Sequence, residues 1–150
     1  KGLHERKLPI EHLNLAIQNF DAPSTIKHVF VYGTLMKGKE RWPRMRSWAT
    51  GGPSNGHVQG RLYHLGHYPG IRLDEEGLVH GELYRCEDIN GALEELDAIE
   101  GVDSADPQSG LYLRVPVKVE TETGPRWAWT YVINRLPSSS VPLDEGRWVE

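Results

Sequence analysis

The sequence contains a single cysteine, Cys86, among its 150 residues. One thiol cannot form an intrachain disulfide, and it cannot supply a cysteine-rich zinc site. This scarcity is typical of proteins that work in a reducing compartment, so we expect a cytoplasmic protein. A chain of 150 residues is long enough for one domain with one hydrophobic core.

Long apolar runs and an excess of basic charge are also missing. No stretch approaches the roughly 20 apolar residues that a spanning helix requires. The opening KGLHERKLPIEH lacks the apolar centre of a signal peptide. The 17 basic residues are outnumbered by 21 acidic ones, which gives a net charge of −4 and argues against a nucleic-acid-binding domain. We therefore expect neither a membrane nor a nucleic acid as a partner, and the composition does not define an oligomeric state.

The first 27 residues differ in pattern from the rest of the chain. Four apolar residues follow one another at spacings of three, four and three, which places them on one face of a short helix: Ile10, Leu13, Ile17 and Phe20. The sequence DAPST at 21–25 then interrupts the pattern. We predict an N-terminal extension over 1–27 with a short amphipathic helix, followed by a domain over 28–150.

The rest of the chain is dominated by patterns of β-strands. Apolar and polar residues alternate over 111–119, which indicates a strand with one buried face, and Pro116 within it suggests an edge or a bulge. GGPSNG at 51–56 is a turn cluster. Five strands are predicted, over 28–32, 58–65, 78–86, 112–119 and 126–133. Several strands around one helix indicate an α+β fold or a small barrel.

That helix is marked at both ends and carries a candidate catalytic acid. Asp88 can cap its start, and Gly101 can end it in the left-handed conformation. Leu93, Leu96 and Glu100 are three and four residues apart and share one face, whereas the other acids point outward. A carboxylate on an apolar face has a raised pKa, which suits a general acid or base. The alternative is a frayed helix end with Glu100 in solvent.

A second candidate lies where the first predicted strand ends, in HVFVYGTL at 28–35. Gly33 directly after a strand allows the backbone to turn sharply and approach a ligand closely. Successive main-chain N–H groups in such a turn can hold a carboxylate or an oxyanion. An ordinary turn at the end of a strand is the alternative.

Three further patterns have simpler explanations. GPSNG at 52–56 matches a serine-hydrolase motif, but a strand-like segment follows it where a helix is needed. His64 and His67 are three residues apart without the spacing of a known metal motif. The cationic segment 37–46 can contact an anionic ligand, although a solvated loop explains it equally well.

Five short motifs occur in an order that identifies a family. They are VFVYGTLMKG at 29–38, VQGRLYHLGHYPGI at 58–71, GLVHGELYRC at 77–86, LDAIEG at 96–101 and LYLRVPVKV at 111–119. Together they resemble the γ-glutamylcyclotransferase-like superfamily, in the branch of γ-glutamylamine cyclotransferases and AIG2-like proteins. The resemblance covers about residues 28–133. It implies a small mixed β-barrel with packed helices and an enzyme that uses no metal or organic cofactor.

The resemblance also implies roles for particular residues. The family's enzymes cyclise a γ-glutamyl group to 5-oxoproline and release an amine, so the expected partner is a small γ-glutamyl amide. Glu100 corresponds to the general acid/base, and Tyr112 lies near the site. The loop that cradles the γ-glutamyl group corresponds to Tyr32, Gly33, Thr34 and Leu35. An amide lyase of this kind is the favoured function, and a non-catalytic binding module with the same fold is the alternative.

Overall fold

The computed structural model describes residues 25–149, which form a closed barrel of five strands beside a smaller sheet. The barrel order is β1-β5-β2-β6-β7, and the smaller sheet has the order β4-β3-β8. The strands are β1 (His28–Val31), β2 (Ser54–Gln59), β3 (Arg61–His64), β4 (Pro69–Arg72), β5 (Leu78–Arg85), β6 (Tyr112–Thr121), β7 (Gly124–Ile133) and β8 (Val141–Pro142). The predicted amphipathic helix lies entirely outside the described residues, as does the predicted extension up to residue 24.

Antiparallel and parallel pairs together close the barrel, so the predicted mixed barrel is confirmed. β1 pairs antiparallel with β5 and meets β7 in parallel at Val29 and Trp129. β6 and β7 form a long hairpin whose register runs from Tyr112 and Ile133 to Thr121 and Gly124. The described residues contain no helix long and apolar enough to span a membrane.

Strand β6 confirms the predicted alternation over 115–119 and the edge position of its proline, whereas at its start Tyr112 is buried and Leu111 is exposed, the reverse of the prediction. Val115, Val117 and Val119 are buried in the barrel. Pro116 pairs with Trp129 of β7 on one side. β2 reaches β6 only near its far end, at its pairs with residues 120 and 121. On the side of Pro116 opposite β7, no strand of the described sheet pairs with it. The N–H that proline lacks is therefore not needed for a hydrogen bond between strands there.

The prediction of a single strand over 58–65 is wrong, because Gly60 interrupts it and separates β2 from β3. Gly60 has a φ of 154°, and an added Cβ would lie 2.9 Å from the main-chain oxygen of Arg72. β2 therefore stays in the barrel, while β3 turns into the smaller sheet. The predicted turn cluster at 51–56 is also partly wrong, because β2 begins at Ser54 within it.

Within residues 25–149, two α-helices pack against the barrel. α1 (Trp42–Arg46) is short, has a proline in its first turn and was not predicted. α2 (Ile89–Glu100) begins as predicted, where the Asp88 side chain accepts a hydrogen bond from the N–H of Gly91. It ends as predicted at Gly101, whose φ of 70° is left-handed. Its buried face consists of Ile89, Ala92, Leu93 and Leu96.

The hydrophobic core has two parts that meet near the end of β1. One part fills the barrel and includes Phe30 and Tyr32. The other lies between the barrel and α2 and includes Val31 and Leu35. Because residues of β1 alternate in direction, this strand and the loop after it contribute to both parts. The end of β1 thus sits at the junction of barrel and helix, where the cavity opens.

Candidate active site

Glu100 lies at the C-terminal end of α2 and faces a cavity instead of solvent at a frayed end. The main-chain N–H groups of Gly101 and Val102 donate to Ala98 and Asp97, which closes the helix end. Glu100 is partly buried and lines the cavity. Within residues 25–149 its carboxyl group forms no hydrogen bond or ion pair. The side chain is therefore free to interact with a ligand.

This environment changes the acidity of Glu100. Burial raises the pKa of its carboxyl to about 7, while the nearby Arg41 guanidinium opposes the shift. Burial acts in this direction because the charged form loses hydration. A carboxyl with a pKa near neutral pH is present in both protonation states, so it can accept and return a proton.

The loop after β1 lies against this acid, and its glycine is required by a close neighbour. A Cβ on Gly33 would lie 2.5 Å from Cγ of Pro69, a ring atom that cannot easily move aside. The Tyr32 hydroxyl donates to the main-chain oxygen of Tyr131 at 2.5 Å, which joins the start of the loop to β7. The backbone at Gly33 therefore passes close to the Pro69 side chain, whereas its predicted approach to a ligand stays a prediction.

This loop contains main-chain N–H groups that are not used in hydrogen bonds within the described part of the protein. The N–H groups of Met36 and Arg41 donate within the loop, to the oxygens of Gly33 at 3.0 Å and Thr34 at 2.8 Å. In the described chain, the N–H groups of Thr34 and Leu35 have no protein acceptor. Unpaired donors beside a cavity are suited to binding a carbonyl oxygen or an oxyanion.

Tyr112 forms the wall between the loop and β4. Its hydroxyl donates to the main-chain oxygen of Pro69, and its ring lies edge-on to that of Tyr68, with 6.4 Å between the ring centroids. Burial and the nearby Glu100 raise the pKa of the Tyr112 phenol, so this group stays neutral. A neutral phenol already bonded to a carbonyl serves to hold the wall in place.

The cavity brings all six predicted site residues together. It has a volume of about 110 Å³, several times the roughly 10–15 Å³ that one water needs, so a small ligand group fits. Among the residues around it are the predicted Tyr32, Gly33, Thr34, Leu35, Glu100 and Tyr112. The lining also includes residues that the sequence analysis did not select, among them Arg41, Tyr68, Pro69 and Tyr131.

A polar cluster behind the cavity was missed because Asp97 was expected to point outward. The Asp97 carboxylate accepts hydrogen bonds from the Tyr131 hydroxyl at 2.7 Å and from Nε of Arg114 at 2.9 Å. The Arg114 guanidinium also lies 4.5 Å from the ring centre of Trp129. Asp97 precedes Glu100 by three residues, so helical spacing alone signals that both can face the barrel. The cluster joins α2 to β6 and β7.

The remaining candidates lie elsewhere. Ser54 is exposed at the first position of β2, without the strand-to-helix turn of a nucleophile elbow. The His64 Nδ1 accepts a hydrogen bond from the N–H of Gly66 at 3.2 Å, and its ring lies 5.2 Å from that of Trp148. Burial raises the pKa of the Cys86 thiol to about 11, which keeps it protonated.

A small closed barrel whose cavity contains a partly buried carboxyl and unpaired main-chain donors is suited to binding a small polar molecule. The family model described as gamma-glutamyl cyclotransferase, AIG2-like, matches residues 29–150. This chain therefore belongs to that family. The match extends beyond residue 133, where the resemblance noted from the sequence ended.

The sequences and structures of individual relatives support this family assignment. The gamma-glutamylcyclotransferase family protein YtfP of Escherichia coli K12 is 35% identical over 124 residues, which cover 81% of this chain and 96% of that protein. The solution structure of ytfP from Escherichia coli matches with a TM-score of 0.56 and 31% identity, covering 82% of this chain and 96% of that one.

A third relative carries a more specific name. The gamma-L-glutamyl-butirosin B gamma-glutamyl cyclotransferase of Niallia circulans is 32% identical over 109 residues, which cover 72% of this chain and 67% of that protein. Family membership supports a γ-glutamylcyclotransferase-like enzyme that acts on a small molecule.

Proposed function

We propose that this protein converts a γ-glutamyl amide into 5-oxoproline and a free amine, with Glu100 as the general acid and base. The observation that carries the proposal is the position of an unpaired carboxyl, with a pKa of about 7, beside a cavity. The free N–H groups of Thr34 and Leu35 belong to the same cavity lining. An acid/base and an oxyanion site are the two groups that this reaction requires.

The substrate supplies its own nucleophile. Its α-amino nitrogen attacks the γ-carbonyl carbon, which forms the five-membered ring and a tetrahedral intermediate. The bond between that carbon and the leaving nitrogen then breaks. Glu100 accepts a proton from the attacking amine and delivers one to the leaving amine, so the carboxyl returns to its initial state. Because the cavity confines both reacting groups, the ring closes without an intermolecular encounter.

The loop stabilises the charge that develops on the carbonyl oxygen. In our proposal the N–H groups of Thr34 and Leu35 donate to this oxygen, and Gly33 permits the approach because it has no side chain. Removing one such donor typically costs about 3–4 kcal/mol of transition-state stabilisation. Tyr32 and Tyr112 would form the walls that keep the γ-glutamyl chain folded.

The release of 5-oxoproline, measured by mass spectrometry over a panel of γ-glutamyl amides, tests this proposal. Wild-type protein should release it, and Glu100→Gln should lower kcat by at least about 100-fold, because it removes the proton acceptor. Glu94→Gln is the matched control, since Glu94 is exposed on the same helix. Full activity of Glu100→Gln would refute its role. A folded wild-type protein that is inactive across the panel would favour the non-catalytic binding module.

A further inference from the structure

Arg41 differs from the other cations of the 37–46 segment because it lines the cavity. Arg44 is paired with Glu95 at 2.9 Å, and the Arg46 guanidinium lies 5.4 Å from the ring centre of Trp42. The Arg41 guanidinium has no ion pair or hydrogen bond with any residue from 25 to 149. A free guanidinium at a cavity is a candidate site for an anionic group.

Hydrogen bonds hold the main chain of Arg41 and the side chain of the residue that follows it. Its own N–H donates to the main-chain oxygen of Thr34 at 2.8 Å, which attaches it to the cradle loop. The next residue, Trp42, donates from its indole nitrogen to the Tyr84 hydroxyl at 2.9 Å. Tyr84 in turn donates to Glu82 of β5. Arg41 is therefore held beside the cradle by contacts that do not use its charge.

Among the described residues, the two charged side chains that line the cavity differ in their exposure to solvent. Glu100 is partly buried, whereas Arg41 is exposed. The nearby Asp97 is already bonded to Arg114 and does not line the cavity. A γ-glutamyl amide that places its reacting atoms at Glu100 would direct its leaving amine outward, toward Arg41.

We infer that Arg41 selects γ-glutamyl amides whose leaving amine carries a carboxylate, an inference that rests on the function proposed above. A guanidinium binds a carboxylate through two parallel N–H donors, which gives both charge and direction. A leaving amine with an additional positive charge meets a like charge at the same place. Repulsion of this kind contributes to specificity as much as attraction does.

A competing role for Arg41 is to bind the α-carboxylate of the γ-glutamyl group, which every substrate of this class shares. Removing Arg41 would then weaken all substrates equally. The influence of the Arg41 charge on the pKa of the Glu100 carboxyl would also act on all substrates alike. A ratio between two substrates that differ only in the charge of the leaving amine cancels both effects and isolates the inferred contact.

The experiment uses γ-glutamylalanine and γ-glutamylalaninamide, which differ only in that the second has a neutral carboxamide in place of the carboxylate. Wild-type protein should prefer the first in kcat/KM, and Arg41→Gln should lower this preference by about tenfold or more. A γ-glutamyl diaminobutane should gain relative to γ-glutamylalanine in the same variant. Arg46→Gln, on the same segment, is the control and should keep the wild-type preference.

The outcomes separate the inference from the proposed function. An equal loss for both substrates in Arg41→Gln, or no preference in the wild type, overturns the inference and leaves the reaction in place. If the wild type releases no 5-oxoproline from any substrate, the proposed function fails. Calorimetric binding of the same two compounds then decides the inference: a carboxylate preference that Arg41→Gln removes supports it, and equal affinities overturn it.

Discussion

Replacing Glu100 with glutamine should stabilise the protein at alkaline pH, although it removes the proposed catalytic base. The folded protein holds this proton more tightly than the unfolded chain does, since burial raises the pKa from 4.5 to about 7. The stability is thus unaffected below pH 4.5, falls as the pH rises, and is fully reduced above pH 7. Glutamine carries no charge and avoids this loss.

The size of the effect follows from the two pKa values. Each pKa unit corresponds to about 1.4 kcal/mol, so an ionised Glu100 costs roughly 3 kcal/mol at pH 8 and under about 1 kcal/mol at pH 5. With an m-value of about 1–3 kcal/mol per molar urea, the denaturation midpoint of Glu100→Gln at pH 8 should rise by roughly 1–3 M. The difference between variants should shrink as the pH is lowered.

Urea denaturation at pH 5 and pH 8, followed by circular dichroism, measures this directly. Glu94→Gln removes an exposed carboxyl from the same helix and should show no comparable change with pH. A Glu100→Gln protein that is no more stable than wild type at pH 8 would refute the reasoning, because the carboxylate would then be well solvated or paired. Stabilisation at the proposed catalytic position is the expected sign of a site that sacrifices stability for function.

Four other predictions concern the site and its surroundings. The kcat/KM of the wild type should rise with pH through about 7, as Glu100 becomes able to accept a proton, and a flat profile from pH 5 to 9 would contradict its role as base. Gly33→Ala should lower kcat/KM by at least about tenfold, because the new methyl would meet the Pro69 ring at 2.5 Å; wild-type kinetics would refute the close approach. Asp97→Asn should destabilise the protein by about 1–3 kcal/mol in urea denaturation, because it leaves the partly buried Arg114 without its counter-charge; an unchanged midpoint would show that this ion pair adds nothing. Treatment with EDTA should leave 5-oxoproline release unchanged, and a loss restored by Zn²⁺ would revive a metal site.

Local patterns predicted the parts of the fold that depend on neighbouring residues in the sequence. The helix from Ile89 to Glu100 was found because a cap, an apolar face and a terminal glycine all lie within one short segment. β4 was missed because Pro69 and Gly70 are typical of loops. This strand forms only through its antiparallel pairing with β3, a contact that local propensity does not contain.

The difference between local patterns and long-range contacts also explains which residues of the site could be selected from the sequence. Glu100 could be selected from its helical phase, because the direction of a side chain on a helix follows from spacing alone. The need for glycine at position 33 was also visible, but its cause is Pro69, which comes from the strand that was missed. Arg41 was visible only as one of several cations, and its position at the cavity depends on hydrogen bonds to Thr34 and from Trp42 to Tyr84. Sequence patterns therefore pointed to Glu100 and the loop at Gly33, to which we assign the chemistry, whereas the residue that we infer to select the substrate emerged only from long-range packing.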